Sequence, residues 1–383
     1  MPPRIAIDAR TILQSKTGDR TYTLNLLRGL ARVASPYQFD VLLDAPDDGN
    51  LIATATENSP RFAVHVIEAR NGRTWSAFAL PRWAWKNRPA LVHVQYLAPG
   101  PLPCPFVTTI HDVVWRALPK TFPARDRVIM NLGMPISARL ARRILTVSAA
   151  SRGEIARRLR VSPAKISVTP NAVDRRFFAP ITRAQIEQLR AKYELGSAPY
   201  VLSVGLLQPR KNIARLMSAF ERLKRADRDL PHQLVITGKH GWGDQLHSAS
   251  AHIRFTGYVD DDELPALYAG ADLFAYPSLY EGFGLPIIEA MAAGAPVLTS
   301  NRSSLPEVAG DAAVKVDPYE IASIEEGLQL MLRDADLREE LQQRGKTWAA
   351  QFTVENQART TVKAYELALD SNKEQGTGNK GGA

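Results

Sequence analysis

Short apolar runs alternate with helix-period segments along almost the whole chain, and the alternation lapses once and then starts again. Runs at Arg4–Asp8, Phe39–Leu43, Ala63–Ile67, Leu91–Val94, Phe106–Ile110 and Ile144–Val147 read as strands of a first half. A loop holding Gly18 leads into a helix over Tyr22–Val33 with Leu24, Leu27 and Leu30 on one face. Ser148 caps an Arg-rich helix ending near Val161. From Asn171 to Pro199 the pattern gives way to NAVDRRFFAP, a charged helix and GSAP, which reads as a linker. Runs resume at Tyr200–Val204, Leu234–Ile236, Ile253–Phe255, Leu273–Tyr276, Val297–Thr299 and Ala313–Val316, then three helical stretches reach about Asp370. Strands that alternate with helices pair in parallel through right-handed crossovers. The expectation is α/β: two doubly wound domains of similar size, with a cleft between their strand ends. A length of 383 residues suits two cores better than one.

One stretch concentrates the chemistry: DLFAYPSLYEGFGLPIIEAMAAGAPVL, Asp272 to Leu298. The apolar run Leu273–Tyr276 is broken by Pro277 and Ser278, followed by a loop with Gly282 and Gly284. A helical pattern then runs from Leu285 to Ala293 and stops at Gly294 and Pro296. Strand, Gly-rich turn and helix N-terminus present backbone N–H groups to an anion. Glu281 in the loop and Glu289 on the helix can both face the crevice above the strand end. A plain strand–turn–helix with solvated glutamates would read the same, since a Gly-rich loop alone is weak evidence.

Two further strand ends in this half suit phosphate: Gly205 to Lys211, and the loop at Gly238. Arg210 and Lys211 sit just before a helix, where the macrodipole disfavours cations unless an anion is present. With Glu289 able to hold ribose hydroxyls, the set describes a nucleotide-diphosphate site. No G-x-G-x-x-G follows Ile5–Asp8 or Tyr200–Val204, and no G-x-x-x-x-G-K-[ST] occurs, so a dinucleotide fingerprint and a P-loop are both out. In the first half, His111-Asp112 falls at a strand's carboxyl end, where parallel sheets bind ligands.

Composition narrows the partners. No apolar run approaches the ~18 residues of a membrane span. MPPRIAIDAR enters a strand pattern at once, so no secretory leader is expected. The single cysteine, Cys104, rules out an internal disulfide and fits a cytoplasmic setting. The net charge of +9 divides unequally: residues 1–180 carry 26 Lys+Arg against 12 Asp+Glu, leaving 22 against 27 for the rest. Nucleic acid is not supported for the basic half, which has no finger, basic-region or helix-turn-helix pattern. An anionic membrane surface or a phosphorylated acceptor fits instead. RTWSAFALPRWAWKNR, residues 73–88, holds three of the chain's six tryptophans among Arg73, Arg82, Lys86 and Arg88. Rings beside cations suit a membrane interface; core packing of a helix broken at Pro81 is the competing reading, and the favoured one for Trp83 and Trp85.

EGFGLPIIE, with Glu281 and Glu289, resembles the paired-glutamate signature of family 4 retaining glycosyltransferases of the GT-B fold. VSAASRGEIARRL, VTPNAVD, LSVGLLQPRKN, ITGKHGWG, FTGYVDDDELPALYAGADLFAYPS and SSLPEVAGDAAVKVDP are similar to its successive blocks, in order, from Arg4 to about Ala368. The RKN and GKHGWG blocks resemble the bacterial mannosyltransferase-like branch. The resemblance implies an acceptor-binding Rossmann-like domain over 1–180 and a nucleotide-sugar-binding one over 181–352. A helix over 353–370 would pack back on the first domain, and 371–383, with nothing to bury, would be a disordered tail. It also implies that Arg210 and Lys211 hold the diphosphate with backbone N–H groups from Phe283, Gly284 and Leu285. Glu289 would hold the ribose and Glu281 would contact the transferred sugar. His111 would close on that sugar, Gly18 would lie near the donor phosphate, and Gly205, Gly238, Tyr258 and Val259 would complete the donor site. The implied reaction retains configuration and needs no metal and no cofactor. Its donor would be a GDP- or UDP-linked hexose, first of all GDP-mannose, and its acceptor a saccharide or lipid-linked saccharide in bacterial polysaccharide or glycoconjugate synthesis.

Three positions depart from the family pattern. Arg20 replaces a second glycine in the first loop, Leu206 an arginine after the first strand of the second domain, and Ala172 the glycine of NGVD. Arg20 either narrows the site or itself pairs with phosphate. Two other readings stay open: a nucleotide-sugar epimerase or sugar phosphorylase of the same fold, and a catalytically silent nucleotide-sugar-binding partner.

Overall fold

A computed structural model of the chain describes residues 2–14, 18–239, 241 and 250–376. Two compact units emerge. One comprises Met1–Arg116, Ala124–Ala172 and the chain from Thr353; the other comprises Ala117–Pro123 and Val173–Phe352. The longer or site-bearing helices are α1 Gly18–Arg32, α2 Leu80–Asn87, α3 Ala124–Leu140, α4 Ala149–Leu159, α5 Ile213–Ala226, α6 Leu264–Ala269, α7 Leu285–Ala293 and α8 Val354–Gly376.

The first unit holds seven strands: β1 Arg4–Asp8, β2 Gln38–Leu43, β3 Phe62–Val66, β4 Leu91–Gln95, β5 Phe106–Thr109, β6 Arg143–Thr146 and β7 Ile166–Val168. They lie in the order β3-β2-β1-β4-β5-β6-β7, every neighbour parallel. The second holds β8 Tyr200–Val204, β9 Gln233–Thr237, β10 Ile253–Gly257, β11 Leu273–Tyr276, β12 Val297–Ser300 and β13 Ala313–Val316, in the order β10-β9-β8-β11-β12-β13, again all parallel. These are two Rossmann-like sheets, as the alternation of runs requires. Central strands such as β8 and β11 are apolar and buried because helices cover both faces. In the second unit Leu216, Phe220 and Leu223 of α5 pack on Val201, Leu234 and Ile236. Each such burial stabilises by about 1.5–3 kcal/mol.

Strand order positions the site. In the second sheet the winding reverses between β8 and β11, and the loops leaving those two strands are the ones that carry Arg210, Lys211 and Glu281. A reversal point opens a crevice beyond the strand ends, because the two loops run to opposite sides.

Several local expectations are corrected. β7 was not visible in the sequence, since three residues between Pro163 and Pro170 show no period. Helix α1 begins at Gly18, not Tyr22, and Leu26, Leu27 and Leu30 form its buried face with Leu24 only half-buried. Pro81 does not break its helix: it sits in the first turn of α2, where no N–H is needed, directly after a π-helical stretch, Trp75–Ala79. Trp75 is fully buried under the Arg10 guanidinium, 3.8 Å from the ring centroid. Trp83 packs partly on the core beside His65, whereas Trp85 and Phe78 are 51% and 72% exposed.

Helix α8 returns to the first unit, as expected. The Tyr365 hydroxyl lies 2.7 Å from His93 Nδ1, and Gln357 Nε2 donates to the Tyr22 carbonyl at 3.3 Å. The helix runs on to Gly376, into the stretch expected to be disordered. Extending an existing helix avoids the nucleation cost, and Lys, Glu and Gln are good helix formers. Residues 377–383 lie outside the described residues, as do His240 and Trp242 of the GKHGWG block. No helix among the described residues is long and apolar enough to cross a membrane.

Candidate active site

The centre of the second unit's site is a buried carboxylate between two cations. Glu281 accepts hydrogen bonds from Arg210 Nη1 on one oxygen and from Lys211 Nζ, at 2.8 Å, on the other. The Tyr276 hydroxyl donates to the same oxygen as Lys211, at 3.0 Å, and itself accepts from Lys211. The side chains of Arg210, Lys211 and Glu281 are 18, 10 and 8% exposed. Burial alone would push the Glu281 carboxyl up, but Arg210 and Lys211 outweigh it and hold it down at about 2. The sequence supplied an anion argument for the two cations, and the structure places Glu281 there. One carboxylate between two cations leaves the trio net positive.

Backbone geometry holds this trio at the strand ends. Asn212 ends the short 3-10 turn Pro209–Lys211 in the left-handed region and ties it to the β11 loop, its amide donating to Pro277 O at 3.0 Å. The Leu279 N–H closes the same loop onto Arg210 O at 2.8 Å. The Glu281 N–H donates to Ser303 Oγ at 3.1 Å, and Ser304 Oγ lies 2.9 Å from Glu281 O and 2.8 Å from Phe283 O. Next door, Gly238 N–H reaches Gly257 O and Gly205 N–H reaches Thr237 O. A Cβ on Gly238 would sit 1.9 Å from the Gly205 carbonyl oxygen, so only glycine lets these two strand ends approach.

Helix α7 starts at Gly284, whose φ of +104° places it in the left-handed region, with no side chain capping the first turn. The first-turn N–H groups of a helix such as α7 have no partner one turn back, and the positive end of the helix dipole lies at that same end. Glu289, further along α7, is half-buried and receives the Tyr268 hydroxyl at 3.3 Å. Burial pushes its carboxyl up to about 7, against the opposing pull of Arg176 and the Tyr268 hydrogen bond and with Asp261 and Asp174 adding to the rise. Tyr258 is 39% exposed beneath the Lys239 ammonium, 4.4 Å from its ring centroid, and its neighbour Val259 is buried. Leu206 is half-exposed and brings no charge to the β8 loop.

In the first unit His111 follows β5. Its Nε2 lies 3.2 Å from Gln95 Oε1 and 3.6 Å from Asp19 Oδ1, and its ring meets Tyr22 edge-on at 4.7 Å and Tyr96 at 5.5 Å. Beneath it His93 bridges the Tyr365 hydroxyl and Thr109 Oγ1, each at 2.7 Å. Burial, with a smaller push from His111, lowers His93 to about 3 and keeps it neutral. Gly18 opens α1 with open space where a Cβ would stand. Arg20, two residues on, has its Nε buried with no hydrogen-bond partner.

Within the second unit the structure thus brings together Arg210, Lys211 and Glu281, while Glu289, on α7, meets Tyr268 and not the trio. Sequence reasoning missed Tyr276, Ser303, Ser304, Tyr268 and Arg176, and in the first unit Asp19 and Tyr96. Tyr276 carried a signal, as the last residue of an apolar run before the Pro277 break; the serines carried none. Among the described residues no three His, Cys, Asp or Glu side chains converge as a metal site would require.

Two all-parallel Rossmann-like sheets, with a charged site at the reversal point of the second, have the architecture of the GT-B fold. Residues 17–177 match the family described as Glycosyltransferase Family 4, and residues 185–348 the family described as Glycosyl transferases group 1. The chain belongs to glycosyltransferase family 4. It is 40% identical over 269 residues to O-antigen chain mannosyltransferase B of Escherichia coli, covering 68% of this chain and 70% of that protein. It is 32% identical over 200 residues to a GDP-mannose-dependent alpha-(1-6)-phosphatidylinositol monomannoside mannosyltransferase of Mycobacterium tuberculosis, covering 48% of this chain and 51% of that one. In fold it matches Anabaena HepE, solved in complex with UDP and glucose, with a TM-score of 0.72 at 18% identity over 95% of this chain and 99% of that one.

Proposed function

We propose that this glycosyltransferase moves mannose from a nucleoside-diphosphate donor, GDP-mannose first, to a saccharide or lipid-linked saccharide acceptor, with retention of configuration. The observation that carries the reading is the 40% identity to an O-antigen mannosyltransferase across two thirds of both chains. As the sugar C1–O bond breaks, negative charge builds on the departing diphosphate. The net positive trio of Arg210, Lys211 and Glu281 and the α7 N-terminus are suited to stabilise that charge without rearranging. Glu281, held at about 2, stays ionised, keeps both cations fixed and takes hydroxyls of the sugar. Glu289 takes the ribose hydroxyls. Phe283 to Leu285 offer backbone N–H groups to the diphosphate, Gly205 and Gly238 allow its close approach, and Tyr258 with Val259 flanks the base. Gly18 and His111 are assigned to the donor phosphate and sugar by the family pattern. The acceptor hydroxyl attacks from the face the diphosphate leaves and gives its proton to the departing oxygen, so no protein nucleophile is invoked. Residues 1–180 serve the acceptor and 181–352 the donor.

The acceptor reading extends to an anionic membrane surface. The basic first half exposes Phe78 and Trp85 beside Arg82, Lys86 and Arg88, and Val128, Leu132, Ile136 and Leu140 form a stripe on α3, each more than half exposed. Rings and aliphatic groups enter the headgroup layer while each engaged Lys or Arg contributes about 1 kcal/mol. The protein is then expected at the cytoplasmic face of the membrane. Vesicle co-sedimentation tests this: binding to anionic vesicles at low salt, lost at high salt and absent with neutral vesicles, is expected. Recovery in the supernatant under every condition would favour a soluble acceptor.

The donor is tested by thermal shift with GDP-, UDP- and dTDP-sugars, followed by product analysis with and without acceptor. Stabilisation by GDP-mannose and acceptor-dependent release of GDP are expected. Conversion of donor alone would point to an epimerase, and no turnover at all to a silent binding partner. Glu289→Ala is expected to weaken nucleotide binding by about 1.5–3 kcal/mol, the range of a charge-assisted hydrogen bond; unchanged affinity would remove Glu289 from the ribose.

A further inference from the structure

A second concentration of positive charge lies in the first unit, away from the strand ends. Four arginines from three segments line one cavity of about 340 Å3: Arg116 after β5, Arg139 near the end of α3, and Arg158 and Arg160 at the end of α4. Pro135 and Leu159 complete its lining. Helix α4 leaves the carboxyl end of β6 and finishes before the amino end of β7, so Arg158 and Arg160 lie toward the amino ends of the strands, whereas His111 follows the carboxyl end of β5.

The simplest account of such arginines is helix capping, because cations are favoured at helix C-termini. It accounts for half of the cluster. Arg116 donates to the Arg158 carbonyl and, at 2.9 Å, to Asn131 Oδ1, and Arg158 is paired with Glu154 on its own helix. It leaves Arg139 and Arg160, both exposed, with no carboxylate paired to either among the described residues. No acidic side chain lines the cavity. The strain registers on Arg116, whose guanidinium is pushed below its ordinary range by burial and then by Arg158, Arg160 and Arg139. Like charges gathered around a concave space are relieved by an anion, and planar guanidinium forks match phosphate oxygens in pairs.

We propose that this cavity binds a phosphate monoester or diphosphate group, held by Arg139 and Arg160 against the Arg116–Arg158 wall. The group can be carried by a soluble molecule or by a lipid headgroup; the chemistry of recognition is the same, and the experiment separates the two.

The test is isothermal titration of inorganic pyrophosphate into the full-length chain and into the double variant Arg139→Gln/Arg160→Gln. Neither residue belongs to the donor site, so the difference between the proteins excludes whatever that site binds, and the outcome stands whether or not the donor assignment holds. The double variant is expected to bind pyrophosphate at least about tenfold more weakly at this site, the loss of one or more charge-assisted hydrogen bonds. Arg139→Lys/Arg160→Lys, which keeps the charge and loses the fork, is expected to fall between, and it replaces the first variant if that one does not fold. Parallel sedimentation with phosphatidylglycerol and phosphatidylcholine vesicles assigns the source. Vesicle binding lost together with pyrophosphate affinity indicates a lipid headgroup, and vesicle binding kept indicates a soluble phosphate compound. Equal pyrophosphate affinity in wild type and both variants overturns the site, whatever the vesicles show.

Discussion

Replacing Glu289 with glutamine should stabilise the protein at alkaline pH while weakening its hold on nucleotide. The carboxyl is pushed from its ordinary 4.5 up to about 7, chiefly by burial, with Arg176 and the Tyr268 hydroxyl only partly compensating. A raised folded-state value means that the native protein binds the proton more tightly than the unfolded chain. Stability from that proton is fully present below 4.5 and is lost as pH rises through about 7. At 1.36 kcal/mol per pKa unit the difference sets a ceiling of about 3 kcal/mol, and the partial exposure of the side chain lowers the expected effect to about 1–2 kcal/mol. Glutamine keeps the shape and cannot ionise. The assay is urea unfolding of both proteins at pH steps from 5 to 9. His93 works in the opposite sense, since its value lies at about 3 against an ordinary 6.5, so stability falls as pH drops below 6.5. That drift is common to both proteins and cancels in their difference. The variant should gain on wild type as pH rises from 5 to about 7 and hold a constant advantage above. Parallel curves over the whole range would refute the burial argument for Glu289.

Glu281→Gln leaves Arg210 and Lys211 buried against each other, so a loss of about 3–5 kcal/mol in unfolding free energy is expected together with lost turnover; a variant with wild-type stability would show that solvent, not Glu281, neutralises the pair. Turnover should survive EDTA, because the Arg210–Lys211–Glu281 trio keeps a net positive charge beside the α7 N-terminus. Activity lost on chelation and restored by magnesium or manganese would show that this charge is insufficient. Gly238→Ala forces a Cβ to within 1.9 Å of the Gly205 carbonyl at a φ of +144°, so it should destabilise the second unit by about 2 kcal/mol or more and weaken donor binding with it; unfolding at the wild-type urea midpoint would contradict the close approach.

Much of the architecture was legible in the residues because parallel strands buried on both faces must be written as continuous apolar runs. Among the described residues twelve of the thirteen strands stand out as short apolar runs, the half-exposed edge strands β3 and β10 among them, and β7, three residues between prolines, does not. The return of α8 to the first unit came only with the family resemblance, since no local pattern says where a terminal helix docks. The alternation also settled that both sheets are parallel. It could not set strand order, because crossovers of similar length reach either neighbour, and it is the reversal between β8 and β11 that puts the loops of Lys211 and Glu281 side by side.

The same division runs through the site. By itself the sequence determined the residue types: two cations before a helix, two glutamates around a Gly-rich turn, and a histidine at a strand end. The tertiary structure alone decided that Arg210 and Lys211 converge on Glu281, and that Tyr276 completes their ring of hydrogen bonds. It also decided that the two glutamates, eight residues apart and identical in chemistry, are driven in opposite directions, to about 2 and about 7. The physical reason is that a carboxyl's charge is governed by burial and by neighbours within a few ångströms. Those neighbours come from other strands and loops, which folding brings together and which sequence spacing does not record.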